Sequence, residues 1–192
     1  MKNIFLLLCI IGAFRTLAQQ IELVKDVCAA VAVQRFNNNL YFNSTNGACH
    51  EGEGIYGSNG STEGTVKITN RKLDGNSRRR GVSAGHLYFG TFNGDLRRIN
   101  GNTEVDELIK NGFNSIPTGL VDINGILIFT DNGNELWRSD GTEGGTYVIR
   151  EDLTGIVEIV SNGSTAFLRT DQGLFKTDGT SVNTVQIPGI NE

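Results

Sequence analysis

A tight glycine turn returns along this chain with a nearly fixed period, and that limits the folds open to it. The turns are Asn59-Gly60, Asn100-Gly101, Asp140-Gly141 and Asp178-Gly179. Their glycines fall at steps of 41, 40 and 38 residues. An aromatic or branched run lies upstream of each: Leu40-Tyr41-Phe42, Leu87-Tyr88-Phe89, Leu127-Ile128-Phe129 and Ala166-Phe167-Leu168. Another apolar run precedes each of those, beginning at Val31, Val82, Leu120 and Ile156, and a closing strand follows each turn. Four short strands per unit at a period of ~40 residues fall in the range of propeller blades. The expected fold is therefore all-β: a β-propeller-like array of four antiparallel units, spanning about 28–70, 71–112, 113–152 and 153–192 of one domain over 19–192.

The turn chemistry predicts two-residue hairpins at these Asx-Gly pairs. Such turns need positive φ at both central residues, which Asn, Asp and Gly reach cheaply. The Ser or Thr that follows can bond the turn backbone. The acidic and amide residues of the turns are thus expected to be structural. One stretch competes as a helix, Glu104 to Gly112, with Gly112 as its cap. Its place in the repeat favours a strand.

Met1-Lys2-Asn3, the apolar run Ile4 to Phe14 and the small residues before Gln19 read as a secretory leader over residues 1–18. At 11 residues the run is too short to span a bilayer. A secreted or periplasmic protein without a membrane span is expected. Losing Lys2 and Arg15 with the leader leaves 15 basic against 21 acidic side chains, a net charge near −6. That disfavours nucleic acid as a partner, since phosphate binding needs a basic face. Arg78-Arg79-Arg80 is the local exception and reads as a solvated connection between units. Cys28 and Cys49 survive leader removal, and in an oxidising compartment one disulfide between them is the economical reading. It would be worth about 2–4 kcal/mol.

Several short matches look like chemistry and are better explained otherwise. Gly81-Val82-Ser83-Ala84-Gly85 fits the hydrolase elbow G-x-S-x-G, with His86 beside it, but the elbow needs a helix after its serine and a strand follows here. A serine hydrolase using Ser83 is the least favoured reading. Gly52 to Gly57 fits G-x-G-x-x-G yet enters a hairpin strand. His50-Glu51-Gly52-Glu53 offers metal-ligand types without a second histidine nearby. Asp131 to Glu135 lacks calcium-loop spacing and reads as a turn. Trp137 belongs in a core. No catalytic set, metal or cofactor is expected.

The third unit, from Gly133 to Glu151, resembles the ELWxxDGTxxGT repeat proteins, hyalin-like secreted repeats of Bacteroidetes, almost position for position. The fourth unit keeps Leu174-Phe175 and Asp178-Gly179-Thr180 but has Asn183 where the family has its second glycine. The first keeps Glu63-Gly64-Thr65, and the second keeps little beyond Leu87-Tyr88-Phe89 and Leu108-Ile109-Lys110. Gln20 to Val27 is similar to a closing strand with no unit before it, which either widens a blade or marks a segment of a longer array. The resemblance implies β-propeller-like secreted domains and brings no catalytic residues. A non-enzymatic binding or adhesion module follows as the expected function, with a glycan or cell-surface protein as partner. A structural spacer or fragment of a larger repeat protein is the alternative.

Overall fold

The computed structural model describes residues 30–44, 52–71 and 77–189, so the expected leader, the expected closing strand over Gln20 to Val27, the expected Cys28–Cys49 disulfide and His50-Glu51 lie outside the described residues. The chain divides into two compact units, 1–75 and 76–192. Among the described residues the regular structure is strand except for one 3-10 turn at Ser77–Arg79. Four antiparallel four-stranded sheets result, each of strands consecutive in sequence. This is a β-propeller-like array.

The first unit holds β1 (Ala30–Phe36), β2 (Asn39–Ser44), β3 (Gly54–Ser58) and β4 (Thr65–Thr69). Its core carries Tyr41, Phe42, Ile55 and Tyr56, all buried. Phe42 and Tyr56 are cross-strand partners and stack at 5.7 Å.

The second unit holds three sheets. They are β5 (Arg80–Ser83) to β8 (Asp106–Lys110), through β6 (His86–Gly90) and β7 (Leu96–Asn100); β9 (Thr118–Ile123) to β12 (Tyr147–Arg150), through β10 (Ile126–Asp131) and β11 (Glu135–Ser139); and β13 (Glu158–Ser161), β14 (Ala166–Thr170), β15 (Gly173–Thr177) and β16 (Val185–Gln186). Within Glu104 to Gly112, Asp106–Lys110 is thus a strand, as the repeat demanded. The first strands stand side by side, β9 touching both β5 and β13. Successive side chains of a strand point to opposite faces. On β10 this sends Leu127 and Phe129 into one core with Tyr88, Leu96 and Phe113, and Ile128 into another with Leu168 and Phe175. A sheet covered on both faces needs an unbroken apolar strand, which is why Ile126 to Phe129 does not alternate with polar residues. Each such side chain, fully buried, contributes about 1.5–3 kcal/mol.

The turns depart from the sequence expectation. Turns with both central residues at positive φ join first and second strands: Asn37-Asn38 (46°, 61°), Ala84-Gly85 (46°, 73°) and Asn124-Gly125 (51°, 82°). The Asx-Gly pairs instead open longer loops between third and fourth strands, at 59–64, 140–146 and 178–184. There only the glycine has positive φ: Gly60 at 92°, Gly141 at 89° and Gly179 at 90°. The cause is the Asx side chain. It bonds the backbone two residues on and so holds the chain in a wider turn. In the second sheet the loop shortens to 101–105, and Glu104 rather than Gly101 takes positive φ.

Candidate functional site

The three long loops share one hydrogen-bond plan. In the third sheet the Gly141 N–H donates to Ser139 Oγ at 3.0 Å, and the two hydroxyls of Ser139 and Thr146 meet at 2.6 Å. Thr146 Oγ1 also bonds the Thr142 carbonyl at 2.6 Å. A hydroxyl has one proton, so Thr146 donates to the carbonyl and Ser139 donates to Thr146. The relay therefore runs one way, from amide through two hydroxyls to carbonyl. Ser58 and Thr65 repeat it at 2.7 Å, and Thr177 and Thr184 at 2.7 Å. Both hydroxyls of each pair are buried, where chains of hydrogen bonds reinforce one another.

A second chain fixes the Asx residue. Thr142 donates its N–H and its hydroxyl to Asp140 Oδ1, at 2.9 and 2.7 Å. These bonds hold the Asp140 carboxyl below the usual carboxylate range. Thr180 and then Asn183 do the same for Asp178. Asn59 Oδ1, Asp140 Oδ1 and both carboxylate oxygens of Asp178 are thus bonded inside their own loops. Asn100 keeps only the start of the plan, accepting the Asn102 N–H at 3.0 Å. The loop's second glycine also has a reason. A Cβ on Gly145 would stand 2.0 Å from Asp140 Oδ1. In the fourth sheet Asn183 takes that place and donates to Asp178 Oδ2 at 2.6 Å.

Seams between sheets bring together residues the sequence reading missed. Arg98, on β7, donates to the carbonyl of Gly141 in the next sheet at 3.3 Å. Arg138, on β11, donates to Gly179 in the sheet after at 3.3 Å. Each arginine stands three residues before its own turn glycine, and Lys176 holds the same place in the fourth sheet. That phasing was the available signal. Arg98 also pairs with Glu107 at 2.7 Å. Burial alone would lower Arg98, but its bonds to Tyr88 and Glu107 outweigh it and raise its pKa. Arg98 and Asn100 hold Glu107 low. Arg150 clasps the third sheet to the fourth, bonding the Thr184 carbonyl at 2.7 Å while pairing with Asp152.

An open cleft of about 590 Å³ lies at the first of these seams. It is lined by Arg98, Glu107, Leu108, Ile109, Lys110 and Asn111 from one sheet and by Gly141, Thr142 and Glu143 from the next loop. Arg98 and Glu107 satisfy each other there. Lys110, Asn111 and Glu143 bring an ammonium, an amide and a carboxylate, and Leu108 is half exposed. Such a set can bind a polar ligand by donating and accepting together.

The other candidates have different surroundings. Ser83 ends β5, is followed by the Ala84-Gly85 turn, and donates to Asp122 Oδ1 at 2.5 Å. His86 accepts the Gly101 N–H on Nδ1 at 3.1 Å. Burial and then Arg98 lower its pKa, against a smaller opposing pull from Glu107. Asp131 is buried and accepts the N–H groups of Asn114 and Ser115, each at 2.8 Å. It ties β10 to the connection between sheets. Trp137 packs against Phe113 and Phe129 and donates to Glu135 at 3.0 Å. The arginine triplet is solvated only in part, with Arg78 exposed, Arg79 half-buried and Arg80 buried. Arg78 donates to the Val157 carbonyl at 2.7 Å, Arg79 lies over the Phe92 ring, and Arg80 opens β5 as a buried residue. Strand burial of Arg80 overrides the polarity of the run. Among the described residues no group of three His, Cys, Asp or Glu is placed to hold a metal.

No protein-family model matches the chain, and no curated protein matches it. Solved structures do. AztD from Citrobacter koseri is similar at a TM-score of 0.58 and 16% identity, over 86% of this chain and 47% of that one. The apo form of AztD gives 0.55 at 14% identity, over 84% and 48%. The computationally designed Ika8 protein gives 0.54 at 12% identity, over 82% and 48%. The chain thus spans about half the length of the structures it matches. At these identities the likeness is one of fold, and the fold it supports is the β-propeller-like array.

Proposed function

We propose that this chain is an exported, non-enzymatic binding module of the ELWxxDGT repeat type, and that it takes a glycan, or a surface protein through its glycan, in the cleft between the second and third sheets. The cleft carries the reading. Along it Lys110 and Asn111 offer donors and Glu143 an acceptor, while the turn residues that define the repeat are committed to their own loops. Sugar hydroxyls donate and accept at once, and a groove offering both with an apolar edge at Leu108 suits them. Export rests on the leader read in Met1 to Ala18. Fold likeness by itself gives no ligand.

The test is a glycan array and an envelope-extract pull-down with the mature protein, repeated with Lys110→Ala and Glu143→Ala. Binding that both substitutions weaken at least tenfold, with unchanged melting, is the expected result. Binding indifferent to both would remove the cleft from the argument. No ligand above background would favour the structural spacer, a reading supported by the internal use of the repeat's polar residues.

A further inference from the structure

The fourth strands of the second and third sheets end on the same plan. Each carries a cation just past a break in register: Lys110 of β8 opposite Leu96, and Arg150 of β12 opposite Leu136. Both cations face the following sheet. At the seam between the third and fourth sheets the chain fills this place with its own groups. Arg150 donates to the Thr184 carbonyl at 2.7 Å. Asp152, two residues on, holds the guanidinium with both carboxylate oxygens, at 2.5 and 2.8 Å.

The seam between the second and third sheets keeps the cation and lacks the carboxylate. Lys110 lines the cleft and has no ion-pair partner among the described residues. The place of Asp152 falls to Gly112, whose φ of 83° is a conformation that favours glycine. Nothing among the described residues lies within 4 Å of where a Gly112 Cβ would sit. Glu107 does not serve Lys110 instead, because Arg98 and Asn100 donate to it at 2.7 and 2.9 Å. Glu143 stands on the facing loop, exposed and unpaired with Lys110. The same position in two consecutive sheets is thus closed by a carboxylate in one and open in the other.

We infer that the ligand brings the carboxylate the chain leaves out: the cleft takes a uronate, a sugar whose carboxylate sits on Lys110 as that of Asp152 sits on Arg150. The inference rests on the glycan reading above and names the class of sugar. The bond between ammonium and carboxylate is charge-assisted and the strongest the cleft can make. The sugar hydroxyls meet Asn111 and Glu143, and its apolar ring face lies against Leu108. Arg98 and Glu107 cancel each other, so Lys110 and Glu143 set the charge pattern of the open part of the cleft. Glu143 repels a second negative charge, which favours one acid on a hydroxyl-rich ligand over a run of acidic side chains.

The experiment puts the mature protein on an array of neutral and uronate-bearing glycans, with an acidic peptide as competitor. The tightest binder and its carboxyl methyl ester are then compared by titration calorimetry, for the wild type and for Lys110→Gln. Binding confined to uronate glycans is the expected outcome, with the ester weaker than the acid by at least about tenfold. Lys110→Gln, with its melting curve preserved, should erase most of that gap. Neutral glycans bound as well as acidic ones, or an ester as good as its acid, overturn the inference and leave the glycan reading standing. An acid–ester gap that survives Lys110→Gln also overturns it, since the carboxylate then sits elsewhere. No glycan bound, or the peptide bound in its place, overturns the inference and the glycan reading together. The acid–ester comparison uses the wild type alone, so it decides even where Lys110→Gln fails to fold.

Discussion

Thr146→Val removes one oxygen from the third loop and changes almost nothing else, because valine matches threonine in shape. The Thr146 hydroxyl accepts from Ser139 and donates to the Thr142 carbonyl, both at 2.6 Å. Ser139 and Thr146 are 1% and 2% exposed, so water does not replace the lost partners. Two net hydrogen bonds at about 0.5–1.5 kcal/mol each, with a buried donor left unpaired, give a cost of about 2–3 kcal/mol. That corresponds to a loss of roughly 5–10 °C in Tm. The assay is urea and thermal unfolding followed by circular dichroism. Thr103→Val is the control, because Thr103 is exposed in the short loop that lacks the relay. It should change stability by less than about 0.5 kcal/mol. A Thr146→Val cost no larger than the control's would refute the relay as the element holding these loops.

Three further outcomes follow from the same loops. Gly145→Ala should cost about 1–3 kcal/mol, since its Cβ would stand 2.0 Å from Asp140 Oδ1. Gly145→Asn should cost less by the same unfolding assay, as Asn183 bonds Asp178 from the equivalent place. Asp140 and Asp178 have folded-state pKa values depressed below the usual 3.8. Their stabilisation is present above that value and is lost as pH falls through the folded values, so Asp140→Asn should flatten the acid limb of a stability–pH profile below pH 3.8. Gly141→Ala should cost about 1–2 kcal/mol more than Gly179→Ala in thermal melts. The two glycines share φ near 90°, but only Gly141 is closed on by Tyr88 Oη and Arg98 Nη1.

Strand order was legible because it rests on local pattern. Apolar runs, closing strands and a period set by turn glycines are written in neighbouring residues, and β1 to β16 follow them. Even the ambiguous Glu104 to Gly112 stretch yielded to its position in the repeat over its own propensity. Turn type was legible only in part. Asp140-Gly141 and Asn124-Gly125 look alike as dipeptides, yet the first opens a seven-residue loop and the second closes a two-residue one. What separates them is the residue that follows: Thr142 after the first, donating twice to Asp140, and the strand residue Ile126 after the second.

The seam was the least legible, because its partners lie a full repeat apart. Arg98 reads as one charged residue of a degraded unit, and only the fold brings it to Gly141, 43 residues on. The same distance explains why the arginine triplet misled at Arg80. Arg80 sits in a polar run by sequence but opens a strand lying against β9. The turn glycine is thus constrained twice. Its positive φ is a local need, visible in any one unit. Its bare Cα, against which Tyr88 and Arg98 of the preceding sheet close, is a need that exists only once two units are stacked. The period holds along this chain because each sheet must fit the one before it, and residues that look idle within a unit, such as Arg98 and Arg138, are where that fit is made.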